Sequence, residues 1–285
     1  MNPFGGVSVR EALDSAVIAI AAAGSDTPRL DAEVLLAAVL GVERTALFLD
    51  PDREVVGPAV RSFQDAVRRR SAGREPVAYI TGVRGFRYLE LAVDARVLVP
   101  RPETELLVEI GLELLPERAR VVDVGTGSGA IALALRSERP DLAVVATDVS
   151  GDALAVARAN AARLGLDGIE FAEGDLLAGA DAAPLHAVLS NPPYVAEGDR
   201  ATLAPEITHH EPPGALFAGA DGLDVIRRLV PAAAAAGARL LAIELGEGQA
   251  PAVMELMGDA GFESVEARRD LAEIERVVVG RRAIP

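Results

Sequence analysis

The tetrad Asn191-Pro192-Pro193-Tyr194 follows an apolar run, Ala187-Val188-Leu189-Ser190, that reads as a buried strand. Open α/β sheets bind ligands at the carboxyl ends of their strands, so this corner is a candidate site. Its residue types suit a planar NH2 group that is to be alkylated. Amide nitrogen is a poor nucleophile because its lone pair is shared with the carbonyl, the resonance behind the roughly 18 to 20 kcal/mol rotation barrier of a peptide bond. Accepting one N–H at the Asn191 side-chain oxygen and the other at the Pro192 carbonyl returns electron density to nitrogen and aims its lone pair. Proline fixes φ and has no N–H, so the doublet stiffens the acceptors without adding a competing donor. Tyr194 can cover the flat group or face a cationic methyl donor. The same residues also read as an ordinary turn, since Asn-Pro and Pro-Pro punctuate loops. What favours chemistry is the strand in front and a glycine loop upstream.

That loop, Asp123-Val124-Gly125-Thr126-Gly127-Ser128-Gly129, stands between an expected strand and an expected helix. Glycines there let the backbone approach a ligand, and a helix N-terminus supplies N–H donors. Asp148, at the end of the next strand, stands where ribose hydroxyls are bound. Gly125, Gly127 and Ala130 also fit the dinucleotide pattern, which keeps a nicotinamide enzyme open. Asp175 follows the third strand at a level suited to an adenine amino group, with Leu176 beside it to pack on the ring; Asp175 reads equally as a loop cap. Acidic residues at three successive strand ends suit S-adenosyl-L-methionine, which carries ribose, adenine and a sulfonium but no phosphate. They suit a pyrophosphate less well.

The elements needed to hold these loops are visible from Arg120 onward. Apolar runs at Val121–Val124, Ala143–Ala146, Ile169–Phe171 and Ala187–Leu189 alternate with stretches rich in Ala and Leu, the signature of a mostly parallel sheet with helices on both faces. Two more strands are expected at Arg239–Ile243 and Val277–Val279, with a helix over Pro251–Asp259 between them; the Ala232–Ala236 run belongs to a helix. The first seventy or so residues read as short helices. Ser8 and Glu11 form a capping-box pattern ahead of Leu13, Val17 and Ile20. Thr27-Pro28 opens a second helix that Gly41 stops. A third runs over Pro58–Arg70, with Val60, Phe63 and Val67 on one stripe; Arg61, Arg68, Arg69 and Arg70 read as a solvated face in preference to a partner-binding patch. Alternation at Phe86, Tyr88, Leu91 and Val93 predicts a hairpin within Val83–Val99.

Composition narrows the class. Among 285 residues there is no Cys, and the 28 basic residues are all Arg. Thiolate metal sites are excluded, and a reducing compartment is the simplest home. His209-His210-Glu211 is a poor metal set, because adjacent side chains on extended backbone point apart. No basic-then-apolar leader pattern or long apolar run is present, so no membrane span and a cytoplasmic location are expected. A net charge of -15 argues against tight docking on a phosphate backbone.

With these residues assembled, the chain resembles the peptide-chain release factor glutamine methyltransferases, the PrmC/HemK type, over essentially its whole length. Beyond the glycine loop and the tetrad, the resemblance rests on Glu75-Pro76-Val77-Ala78-Tyr79-Ile80-Thr81-Gly82, Phe86, and Val99-Pro100-Arg101-Pro102-Glu103-Thr104-Glu105. It continues through Glu211-Pro212-Pro213-Gly214-Ala215-Leu216, Gly219 and Asp221-Gly222-Leu223. These blocks are more specific than the tetrad, which also occurs in adenine and cytosine amino-methyltransferases of nucleic acids, the alternative reading. The resemblance implies a Rossmann-like seven-stranded methyltransferase domain and a small helical N-terminal domain joined by a β-hairpin. The expected boundaries are 1–74 for the helical domain, 75–100 for the linker and 101–285 for the catalytic domain.

The resemblance further implies methylation of the side-chain amide of the Gln in the Gly-Gly-Gln motif of class I release factors. S-adenosyl-L-methionine is the implied donor and S-adenosyl-L-homocysteine the product. Asp123, Gly125 through Gly129 with Thr126 and Ser128, Asp148, Asp175, Leu176 and Asn191 are the expected cofactor residues. Asn191, Pro192 and Tyr194 are expected to act in catalysis, with Pro193 also holding the substrate Gln. Arg101, between two prolines, reads equally as a structural pin or a substrate contact. A monomer is expected. One departure is visible: the family often has a Gly after Asp270-Leu271, and here Ala272-Glu273 follows.

Overall fold

The computed structural model describes residues 6–180 and 185–282. Along the chain come β1 (Val7–Ser8), α1 (Val9–Ala22), α2 (Pro28–Leu40), α3 (Arg44–Leu49), β2 (Glu54–Val55), α4 (Pro58–Ser71) and α5 (Val77–Thr81). There follow β3 (Val83–Phe86), β4 (Leu89–Ala92), α6 (Glu105–Leu114), β5 (Arg120–Val124), α7 (Ala130–Glu138), β6 (Ala143–Asp148), α8 (Gly151–Leu164), β7 (Ile169–Glu173) and β8 (Ala187–Ser190). The remainder is α9 (Pro205–His210), α10 (Asp224–Ala235), β9 (Leu240–Glu244), α11 (Ala250–Asp259), β10 (Ser264–Arg269) and β11 (Glu275–Arg281).

Two compact units result, one of residues 1–82 with 204–210 and one of residues 83–203 with 211–285. The expected boundary at 74 falls inside the first unit, because Val77 and Ile80 of α5 pack on its core. The hairpin of β3 and β4 belongs to the second unit, where Phe86 and Leu91 are buried among its core residues.

In the helical unit the local signals behave as the side chains dictate. Ser8 and Glu11 form the full capping box at the start of α1. Gly41 ends α2 in the left-handed conformation that glycine adopts without a Cβ penalty. Thr27 precedes α2 without capping it; its hydroxyl donates to Asp31 instead. The solvated-face reading of the α4 arginines fails at Arg70. The helix turns that residue inward, where its guanidinium reaches Asp31 and Glu206 at 2.6 Å each and Ser25 at 2.9 Å.

The second unit carries a seven-stranded sheet in the order β10-β11-β9-β8-β5-β6-β7. Strands β7, β6, β5, β8 and β9 are parallel, while β11 runs antiparallel to both β9 and β10. Central strands read as continuous apolar runs because both faces are covered: α6 and α7 belong to one core layer, α10 and α11 to the other. Strand β10 escapes that signal. As an edge strand its Glu266, Arg268 and Arg269 are polar, which protects an unpaired edge. Glu273, in the turn before β11, sits at φ 62, in the left-handed region where glycine is easiest to place. Glu273 thus adopts a conformation for which Gly is the easier residue, and nothing in the structure explains the departure noted above.

Candidate active site

Sheet order decides where the site must be. β5, β6 and β7 run outward on one side and β8 and β9 on the other, so the chain reverses direction of winding between β5 and β8. Ligands of open α/β sheets bind in the crevice at such a point. Val124 pairs with Ser190, the last residue of each strand, so the glycine loop and the tetrad leave the sheet side by side. A cavity of about 380 Å³ opens there, within the usual size of small-molecule sites. It is lined by Gly125, Gly127, Asp148, Asp175, Leu176, Asn191, Pro192 and Pro193 among the expected residues.

Each loop is braced by its own hydrogen bonds. Gly125 and Gly127 have φ of 73 and 55, and an added side chain at Gly127 would project into open space. The Gly127 N–H donates to Asp148 Oδ2 and the Ser150 N–H to Oδ1, both at 2.9 Å. These bonds fix the Asp148 carboxylate at the cavity wall while leaving lone pairs for a further donor. Leu176 lies at φ 56, and its carbonyl accepts from Thr147 at 2.7 Å.

The tetrad is held just as firmly. Gln249 Nε2 donates to the carbonyls of Tyr194 and Asp221 at 3.0 and 3.1 Å. Gly222, at φ 77, has no room for a side chain, since a Cβ there would lie 2.1 Å from the Tyr194 carbonyl. Asn191 Nδ2 donates to Thr104 Oγ1 at 2.9 Å. Among the described residues, neither Asn191 Oδ1 nor the Pro192 carbonyl receives a hydrogen bond. Two acceptors therefore stand free at the cavity edge.

Several expected contacts lie elsewhere. Asp123 is fully buried beneath the loop rather than facing the cavity; its Oδ2 accepts from Thr126 Oγ1 at 2.6 Å and from the Ala132 N–H at 3.1 Å. A carboxylate here satisfies an orphan donor at the start of α7, which is why the acidic residue faces the protein. Thr126 and Ser128 are likewise buried, and Gly129 ends the loop against Leu133. None of these four lines the cavity. Asp175 lines it but is ion-paired with Arg228, and both are more than half exposed.

Tyr194 turns away from the cavity lining, and its hydroxyl donates to Glu244 Oε1 at 3.3 Å. Burial, reinforced by the neighbouring Glu244, raises its phenol out of any working range. Arg101 pairs at 2.6 Å with the buried Glu211, whose carboxyl is raised by burial against the pull of Arg101. Thr104 and Glu244 were not singled out from sequence. An acidic residue closing the apolar run Leu240–Ile243 was the available signal.

Burial pushes the Asp123 carboxyl up to about 7, with Thr126 and the Ala132 N–H opposing the shift. The folded value exceeds the unfolded one, so the favourable contribution is complete below about pH 4 and is lost as pH rises to about 7. Wild type is accordingly expected to lose about 3 kcal/mol relative to Asp123→Asn between those limits. Urea unfolding of the pair across pH 4 to 8 checks it, and a pH-independent difference removes the assignment.

Known proteins agree with this architecture. Residues 11–82 match the family described as PrmC N-terminal domain, and residues 102–222 the methyltransferase small domain. A release factor glutamine methyltransferase of Deinococcus radiodurans is 45% identical over 282 residues, covering 97% of this chain and 99% of that protein. A protein of the same name from Burkholderia pseudomallei is 46% identical over 263 residues, 88% and 91% of the two chains. A solved methyltransferase from Pyrococcus furiosus superposes with a TM-score of 0.52 at 17% identity, over 69% of this chain and 90% of its own, a likeness of fold.

Proposed function

The chain belongs to the release factor glutamine methyltransferases, and from that premise we propose that it transfers a methyl group from S-adenosyl-L-methionine to the side-chain amide nitrogen of the Gln in the Gly-Gly-Gln motif of class I release factors. The observation that carries the reading is the pair of free acceptors, Asn191 Oδ1 and the Pro192 carbonyl, at the edge of a cavity floored by Gly125 and Gly127. Two acceptors on one cavity wall suit the two hydrogens of one carboxamide.

The residues present fit the donor. Asp148 has lone pairs for ribose hydroxyls, Leu176 and Val149 give apolar surface for a base, and the wall at Gly127 is open enough for close approach. When bound, the donor supplies an electrophilic methyl on a sulfonium sulfur, which the Gln nitrogen takes up as the C–S bond breaks. Asn191 and Pro192 hold the amide so that its lone pair points at that carbon, and orientation of this kind contributes up to about 7 to 11 kcal/mol. No strong general base is required, because the nitrogen becomes acidic once alkylated and sheds its proton to water. Pro193 stiffens the corner. Tyr194 supports it from behind through Glu244 rather than covering the substrate.

The helical unit is assigned the grip on the release factor, and the enzyme acts as a monomer in the cytoplasm, where termination occurs. Among the described residues no helix is long and apolar enough to cross a membrane. Methylation of nucleic acid is disfavoured by the net charge of -15.

Mass spectrometry of a class I release factor incubated with the enzyme and donor tests the reading: one methyl on the motif Gln is expected, and transfer to RNA or DNA instead overturns it. Asp148→Ala is expected to weaken donor binding about tenfold or more through loss of a charge-assisted hydrogen bond. An unchanged dissociation constant by calorimetry would take Asp148 out of the site.

A further inference from the structure

Asn160 lies on α8, behind the glycine loop, and is fully buried. Its Nδ2 donates to the carbonyls of Ala92 and Ser128 at 3.0 Å each, and its Oδ1 accepts from the Ala92 N–H at 2.7 Å. In the reverse orientation the amide would set its oxygen against both carbonyls, so the three bonds hold it one way round. A side-chain amide taken wholly out of water is tolerated in a core only when so satisfied. Ala92 gives both of its backbone groups to this one side chain, as it would to a neighbouring strand.

The two backbone segments joined here flank the donor cavity. Ser128 belongs to the glycine loop, whose Gly125 and Gly127 line the cavity. Ala92 ends β4, and the chain then passes through the buried Val93 to Arg96, Val97 and Leu98, all three of which line the cavity as well. A turn keeps that passage short, with the Val97 N–H donating to the Asp94 carbonyl at 3.1 Å. α8 approaches the loop closely at this point, since a Cβ built on Gly129 would lie 3.3 Å from that of Ala157. Asn160 is 68 residues from Ala92 and 32 from Ser128, so its side chain makes a link that neither segment makes locally.

We propose that Asn160 is a positioning residue for donor binding, a clamp that holds the glycine loop and residues 96–98 at a fixed spacing across the cavity. This role rests on the function assigned above for the identity of the donor. Asn160 lines no part of the cavity itself. Its effect is preorganisation: walls that must be ordered when the donor arrives give up affinity, and walls already held do not. Losing the clamp should therefore weaken donor binding and spare turnover at saturating donor.

Asn160→Leu removes all three bonds at nearly constant volume, while Asn160→Asp keeps the Ala92 N–H bond and sets an oxygen against both carbonyls. Calorimetry with S-adenosyl-L-homocysteine should show either variant binding at least about tenfold more weakly, the scale for a buried group left unpaired. At saturating donor kcat should stay within about threefold of wild type. Met257→Ala truncates a buried side chain of α11 that does not line the cavity; it should destabilise the same unit and leave the Kd within about twofold. In hydrogen exchange, which needs no ligand, the Gly127 and Gly129 amides should exchange about tenfold faster in Asn160→Asp, with those of Val121 and Val122 in β5 unchanged. In the wild type both hydrogens of the Asn160 side-chain NH2 should exchange slowly, a measurement that stands whether or not a variant folds. Equal weakening of binding in Met257→Ala, faster exchange throughout the sheet rather than in the loop, or rapid exchange of the wild-type Asn160 hydrogens overturns the role. Failure of the wild type to bind S-adenosyl-L-homocysteine would count against the assigned function instead, and the exchange measurements would still decide the clamp.

Discussion

Asn191→Ala is expected to reduce turnover on a release factor by about 10²-fold or more, the scale for removing one preorganised polar group at a reacting centre. Donor affinity should change far less, because Asn191 contributes one wall position to a cavity otherwise formed by Gly125, Gly127, Asp148 and Leu176. The asymmetry follows from what the side chain does. Its Oδ1 bonds the amide most strongly when the nitrogen begins to carry positive charge, which happens on the way to the transition state and not in the ground state. The loss should therefore appear in kcat, with KM for the release factor little altered. Steady-state kinetics with calorimetric donor binding checks both halves. Near wild-type turnover would falsify the role, and a large loss of donor affinity with kcat preserved would make Asn191 a binding residue only.

How much of this was legible follows from what each residue type reveals about its surroundings. Strands β5, β6, β8 and β9 announce themselves because burial on both faces demands unbroken apolar sequence. The glycine loop and the tetrad are equally visible, since glycine and proline mark backbone geometry directly. Strand β10 is hidden because an edge strand needs little apolar character. The same limit governs the site. A sequence says that Asp123, Asp148 and Asp175 end strands, but not which way each carboxylate turns. Asp123 turns under the loop to α7, Asp148 toward the cavity rim, and Asp175 to Arg228. Those choices depend on partners distant in sequence, such as the Thr104 that meets Asn191 or the Glu211 that meets Arg101. Motif spacing located the corner, whereas the supporting hydrogen bonds exist only once α6 and β9 have packed beside β8.

Arg70 is the place where distant pairing has the largest consequence for stability. Arg70→Met is expected to cost the helical unit about 3 to 5 kcal/mol, the range for removing one partner of a buried ion pair. Its guanidinium side chain is 8% exposed and holds two carboxylates, Asp31 of α2 at 8% and Glu206 of α9 at 14%. Arg74 also reaches Glu206 at 2.6 Å, so that carboxylate keeps one partner when Arg70 is lost. Among the described residues Asp31 then keeps the hydroxyls of Ser25 and Thr27 as its side-chain partners, and a buried carboxylate without a cation bears the desolvation cost uncompensated. Met preserves most of the aliphatic packing, so the loss reports charge rather than volume. Arg68, on the same helix, is 75% exposed and pairs with Asp65; Arg68→Met should cost less than about 1 kcal/mol. Urea unfolding of the two variants separates the cases, and equal destabilisation would show that the inward cluster is no more than a surface pair. Because whole domains are stable by only about 5 to 15 kcal/mol, the expected loss at Arg70 is enough to release α9 from the helical unit, while the cavity residues at Gly125, Asp148 and Asn191 lie in the other unit and should retain donor binding.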